Sequence, residues 1–168
     1  DKLKSVTFPK NLTKIGDGAF SGCTSLTDIV FPESLTALGD GYSASTDIAD
    51  GGFSMIGGGS VQPDVWGAFY GCIGITNITI PEGVTSINGK VFAGCNNLEI
   101  VHALPTTVPT LDGSPFPTTL KKIFVPSSSY IDYVSKWGQY ASLIFADGNG
   151  GGDNPSTDSD NRVLYYTT

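Results

Sequence analysis

Three cysteines, one histidine and two groups of aspartates are the side chains of this 168-residue sequence that could carry chemistry. Cys23, Cys72 and Cys95 could ligate a soft metal or form a disulfide, and His102 could act as a general base. Asp40, Asp47 and Asp50, or the run Asp147, Asp153, Asp158 and Asp160, could collect calcium. Each arrangement lacks what its chemistry needs. A zinc site draws on paired spacings such as Cys-x-x-Cys, whereas these thiols lie 49 and 23 residues apart, and an odd count leaves at least one unpaired. One histidine with no nucleophile suggested nearby is not a triad or dyad. The aspartates lack the D-x-D-x-D-G order and the closing glutamate of a calcium loop. Gly57-Gly58-Gly59-Ser60 is not followed by the Lys-Ser/Thr pair of a phosphate loop, and so reads as loop flexibility. Asn11-Leu12-Thr13 and Asn77-Ile78-Thr79 match the N-glycosylation sequon, a weak signal. The sequence offers no catalytic residue, no cofactor site and no metal site, and it is not read as an enzyme.

What places the cysteines is a repeated phrase. Ala19-Phe20-Ser21-Gly22-Cys23 returns as Ala68-Phe69-Tyr70-Gly71-Cys72 and as Val91-Phe92-Ala93-Gly94-Cys95. Prolines end an alternating apolar run at Phe8-Pro9, Phe31-Pro32 and Ile80-Pro81. Pro9 to Pro32 spans 23 residues, as does Cys72 to Cys95. A unit this short cannot bury its own apolar face and must stack on its neighbours, which makes a solenoid. Within the unit L-x-x-I-x-I-P-x-x-L/V-T-x-I-G-x-x-A-F-x-G-C, the period-two stretch predicts a short strand with Ile29 and Phe31, or Ile78 and Ile80, facing inward. Proline ends the strand because it lacks a donor. Leu12 and Ile15, Leu35 and Leu38, and Val84 and Ile87 return along the opposite wall, and the phenylalanine fills the space between. The three cysteines then stack as a column of small, weakly donating hydrophobes.

The phrase Ile78-Thr-Ile-Pro-Glu-Gly-Val-Thr-Ser-Ile87, followed by Val91-Phe-Ala-Gly-Cys95 and Leu98, resembles the BspA-like class of leucine-rich repeats over roughly residues 3–145. That family is known from surface and secreted proteins of gut and oral anaerobes and from some protists. The resemblance implies a right-handed solenoid with one parallel sheet, used for adhesion or protein binding. It brings no catalytic residues to carry over.

The expected organisation is a leucine-rich-repeat solenoid over 1–145, an acidic flexible linker over 146–161, and the start of a following domain at 162–168. Cys23 to Cys72 exceeds one period by 26 residues, so an insert over 40–65 should bulge from the turn before Phe69. The stretch 98–126 keeps the apolar spacing without the Gly-Cys phrase and reads as closing rungs. After it, Ser127 to Ser129 offer an N-cap, and Tyr130, Tyr133, Val134 and Trp137 form one stripe of a helix over about 128–137. An amphipathic helix there would cover the open end of the core. The sequence opens in mid-repeat and ends in an alternating run, as a piece of a longer protein would.

Net charge is -7, yet residues 1–38 and 66–145 hold eight acids against eight bases. The repeats are neutral and the excess sits in the insert and the linker. No basic stripe is available to neutralise phosphates, which argues against nucleic acid as a partner. No apolar stretch is long enough to span a membrane.

The feature closest to a function is a surface. Strand positions between the inward residues point outward, so Thr7, Val30, Thr79, His102 and Phe124 should form one column. Ser5, Asp28, Asn77, Ile100 and Lys122 should form a second. Phe53, Met55, Ile56 and Trp66 give the insert apolar content and make it a competing contact surface. Together these predict a non-catalytic, adhesion-type module of a secreted or surface-attached bacterial protein, whose partner is a surface protein or glycan. The alternatives are a structural spacer presenting a neighbouring domain and an accessory domain of a glycan-active enzyme.

Overall fold

Alternation followed by proline gives strands in every rung, and the rungs stack in parallel. The structure, a computed structural model, describes residues 2–39 and 67–147. One wall carries β1 (Ser5–Thr7), β3 (Asp28–Val30), β5 (Asn77–Ile80), β7 (Ile100–Ala103), β9 (Lys122–Pro126) and β10 (Ile144–Asp147). The other carries the two-residue strands β2 (Lys14–Ile15), β4 (Ala37–Leu38), β6 (Ser86–Ile87) and β8 (Thr110–Leu111). Among the described residues every pairing is parallel, as a solenoid of single-handed turns requires. The second wall is one continuous ladder in the order β2-β4-β6-β8. The first is carried in two ladders, β1-β3 and β10-β9-β7-β5, with β3 packed beside β5.

The expected insert falls outside the described residues, and the rungs on either side of it meet. Ala37 and Leu38 pair with Ser86 and Ile87 across it. Gly67 makes the closure possible: a Cβ there would sit 1.8 Å from the Lys90 carbonyl oxygen, inside any allowed contact.

Two walls of β structure enclose a core one phenylalanine wide. Phe20, Phe69, Phe92 and Phe116 stack ring on ring, with centroids 5.2, 5.4 and 5.9 Å apart and planes within 8° of parallel. Phe116, in the stretch that lacks the repeated phrase, extends the same ladder. Beside it, Gly22, Gly71 and Gly94 take φ of 73°, 70° and 75°, a left-handed turn that a side chain would strain. The residue that follows each is the cysteine, and all three cysteines are free thiols. Cys72 Sγ donates to the Phe20 carbonyl and Cys95 Sγ to the Phe69 carbonyl, each at 3.0 Å. Burial pushes the Cys72 thiol up to about 11 and the Cys95 thiol to about 12, so both stay protonated and unreactive at neutral pH.

The consensus threonine has a matching role on the second wall. Thr36 Oγ1 donates to the Thr13 carbonyl, Thr85 to Thr36 and Thr110 to Thr85, which binds each rung to the one before by a side chain as well as the backbone.

The far end of the ladder is closed. The expected helix is α1 (Tyr130–Lys136), flanked by 3-10 turns at Ser127–Ser129 and Gly138–Leu143. Its aromatic stripe packs on Phe116, with Trp137 and Tyr140 rings 5.9 and 5.4 Å away. Tyr133 Oη donates to the Pro105 carbonyl at 2.8 Å and Trp137 Nε1 to the Pro109 carbonyl at 2.9 Å. The cap therefore covers apolar surface and satisfies the last rung's carbonyls at once. The serines do not act as an N-cap: no side chain caps α1, and Ser129 Oγ instead donates to the Thr106 carbonyl. Past the cap the chain returns to the first wall as β10, in register with β9 from Ile144↔Ile123 to Asp147↔Pro126. Strand structure thus runs through Ala146 and Asp147, residues that the sequence assigns to the linker.

Candidate functional site

The register of the first wall settles which side chains share its solvent face. Ser5 lies beside Asp28, and Thr7 beside Val30. Asn77, Ile100 and Lys122 form one line, and Thr79, His102 and Phe124 the next. Both expected columns therefore exist as segments, one on the two-stranded ladder and one on the four-stranded ladder.

The two segments differ in character. Around β1 and β3 the face is polar and fully exposed, with Val30 alone as an apolar point, 80% exposed. Around β7, β9 and β10 it becomes aromatic. The His102 and Phe124 rings stack at 5.1 Å with planes 17° apart, and Phe124 lies 6.0 Å from Phe145 on β10. Lys122 Nζ stands 5.5 Å over the Phe145 ring, a cation held against the negative face of an aromatic. Ile100 precedes His102 by two residues and is half-buried beside Lys122.

Phe145 was not among the sequence-derived site residues. It belongs to the strip by register with Phe124, and it is 6% exposed although it lies outside the main apolar core. The short apolar run Ile144-Phe145-Ala146 is the one signal that could have found it. Three residues are too short a run to separate a strand from a turn.

His102 has an aromatic neighbour rather than a nucleophile. Among the described residues, no group of three or more His, Cys, Asp or Glu side chains could hold a metal ion. Asp40, Asp47, Asp50, Gly57 to Ser60, and the insert contacts Phe53, Met55, Ile56 and Trp66 lie outside the described residues. So do the linker beyond Asp147 and the segment 162–168. Among the described residues, no helix is long and apolar enough to cross a membrane.

Residues 1–50 and 66–139 match the family model of the BspA type leucine rich repeat region, in six copies. The match covers most of the chain, and the chain belongs to that family. No curated protein matches it.

Proposed function

We propose that this BspA-type repeat array is a non-catalytic, adhesion-type binding module of a cell-surface or secreted bacterial protein. A partner protein or glycan docks on the solvent face of the first wall, at its C-terminal rungs. The observation that carries this reading is the strip His102–Phe124–Phe145. Strand preference accounts for single aromatic residues on a solvent face. It does not call for three rings in register on adjacent strands, flanked by a lysine and an isoleucine, when the core is already filled from the other side. His102 and Phe124 are half-buried and Phe145 is buried, so a partner would meet the first two; partly exposed aromatic groups backed by a rigid sheet bring large contact area at little cost in ordering.

The test is a binding screen of the chain against arrays of extracellular-matrix proteins and glycans, run beside a His102→Ala/Phe124→Ala variant and a Thr7→Ala/Val30→Ala variant. A ligand lost with the first pair and kept with the second supports the reading. Ligands that bind all three forms equally would move the site off this face. No ligand for any form would favour the spacer.

A further inference from the structure

We propose that the Asn88-Gly89 dipeptide is a site of spontaneous self-modification, at which the chain deamidates without an enzyme and loosens its own second wall. The chemistry favours glycine after asparagine, because glycine has no side chain to keep its backbone nitrogen away from the amide carbon before it. Among the described asparagines, Asn88 alone precedes glycine; Asn11, Asn77, Asn96 and Asn97 precede leucine, isoleucine, asparagine and leucine. The dipeptide lies in the turn that follows β6, where Gly89 takes a φ of 60° and a Cβ on it would meet nothing within 4 Å. Among the described residues the Gly89 N–H has no hydrogen-bond partner, so no ladder bond has to break to free the nucleophile. Asn88 is half-buried, and its Nδ2 donates to the Gly39 carbonyl at 3.1 Å. One such hydrogen bond slows the reaction by no more than about tenfold. In the reaction the Gly89 nitrogen attacks Cγ of Asn88 and the bond from Cγ to Nδ2 breaks. Nδ2 leaves as ammonia with the Gly89 amide proton, and a succinimide ring remains. Water opens that ring at either carbonyl, giving aspartate or isoaspartate at position 88.

The product puts a negative charge where the fold has used a neutral donor. The Nδ2 bond to Gly39 ties the rung of β6 to the rung of β4, which are neighbours on the second wall. A carboxylate at position 88 loses that donor and leaves an acceptor facing the Gly39 carbonyl. Asp17 reaches the same place: a Cβ on Gly39 would lie 2.9 Å from Asp17 Oδ1 and 2.9 Å from the Asn88 carbonyl oxygen. Asp112 holds the position of Asn88 in the following rung, where its N–H donates to the Ile87 carbonyl. The amide of Asn88 thus stands between two acids along the solenoid, and conversion sets a third charge of the same sign between them. Isoaspartate further adds a carbon to the backbone of the turn.

The experiment is incubation of the folded full chain in warm, mildly alkaline buffer, with conversion at each asparagine read by peptide mapping and mass spectrometry. Asn88 should convert at least about tenfold faster than Asn11, Asn77, Asn96 and Asn97, with release of ammonia and isoaspartate at position 88. Asn149-Gly150, the same dipeptide outside the described residues, is the internal reference for the chemistry. Asn88→Gln keeps an amide but needs a larger ring, and it should remove the signal at 88 while leaving that at 149. Conversion of Asn149 with Asn88 intact would overturn the site, because the Gly39 bond would then hold the amide in place. For the consequence, the incubated chain and Asn88→Asp should both show a lower denaturant midpoint than the fresh chain. Asn11→Asp, which adds the same charge in an exposed turn, should leave the midpoint unchanged. Equal midpoints for the fresh chain, the incubated chain and Asn88→Asp would overturn the loosening of the second wall.

Discussion

Two aromatic groups run along the same solenoid, one in its interior and one on the outer side of the first wall. Phe20, Phe69, Phe92 and Phe116 stack in the interior, while His102 and Phe124 lie half-buried on the outer side, with Phe145 buried beside Phe124. The inner ladder follows from the repeat: each turn needs one large ring to fill the space between two walls, and the same position supplies it each time. The outer ladder has no such cause. It occupies positions that are Thr7 and Val30 in the first two rungs, where polar or branched side chains serve the strand equally well. A feature repeated because the fold needs it and a feature present in spite of indifference to the fold carry different information. The first reports on stability and the second on recognition.

That contrast can be tested from its most costly element downward. Phe69 lies fully buried with rings on both faces, and Phe69→Ala should destabilise by about 3–5 kcal/mol, read as the shift in a denaturant midpoint. A small loss would mean that the rungs close up on the cavity and that the ladder is less rigid than its spacing implies. The cap comes next. Trp137→Phe keeps most of the packing on Phe116 but leaves the Pro109 carbonyl without its donor, for about 1–3 kcal/mol.

The cysteine column gives a pH signature. The Cys95 thiol is raised from 9.0 to about 12 by burial, with a nearby Cys72 charge as the second cause. The unfolded chain therefore releases this proton first. The column's contribution is fully present below the unfolded value near 9 and is lost as pH climbs toward about 12. Unfolding measured on both sides of pH ~9 should show a decline in stability that is shallower in Cys95→Ala. The least effect belongs to the exposed pair Lys121–Glu99, where Glu99→Gln should change stability by about 0–1 kcal/mol.

Much of the inner ladder was legible in the sequence because it is written three times in one phrase, Ala-Phe-x-Gly-Cys or its Val-Phe variant. The same repetition made the cysteine column readable and argued against disulfide chemistry. The aromatic stripe of the cap was legible because Tyr133 and Trp137 sit one helical turn apart. Its polar half was not, since a Tyr hydroxyl reaching the Pro105 carbonyl depends on how the helix lies across the rung. The threonine of the consensus could be seen, but its carbonyl partner one rung back could not. The outer columns were legible from alternation, including the less regular positions Ile100 and Lys122. What escaped was β10, and with it Phe145 and the second aromatic neighbour of Phe124, because that strand comes after the cap and carries no repeat signature. The division of the first wall between β3 and β5 also has no local signal: the residues on both sides suit strands equally.

The division of labour between the ladders is tested most directly by equilibrium unfolding of Phe92→Ala beside Phe124→Ala. Each ring has two aromatic neighbours, but Phe92 is fully buried and stacked on both faces while Phe124 is half-buried, stacked on His102 and tilted 42° to Phe145. Phe92→Ala should lose about 3–5 kcal/mol, as a buried phenylalanine does. Phe124→Ala, at a half-buried ring, should lose clearly less than that, though more than the about 0.5–1.5 kcal/mol that a single aromatic pair adds beyond area burial. Equal losses would contradict the account, because the outer strip would then be part of what holds the fold together and its aromatic character would need no partner to explain it.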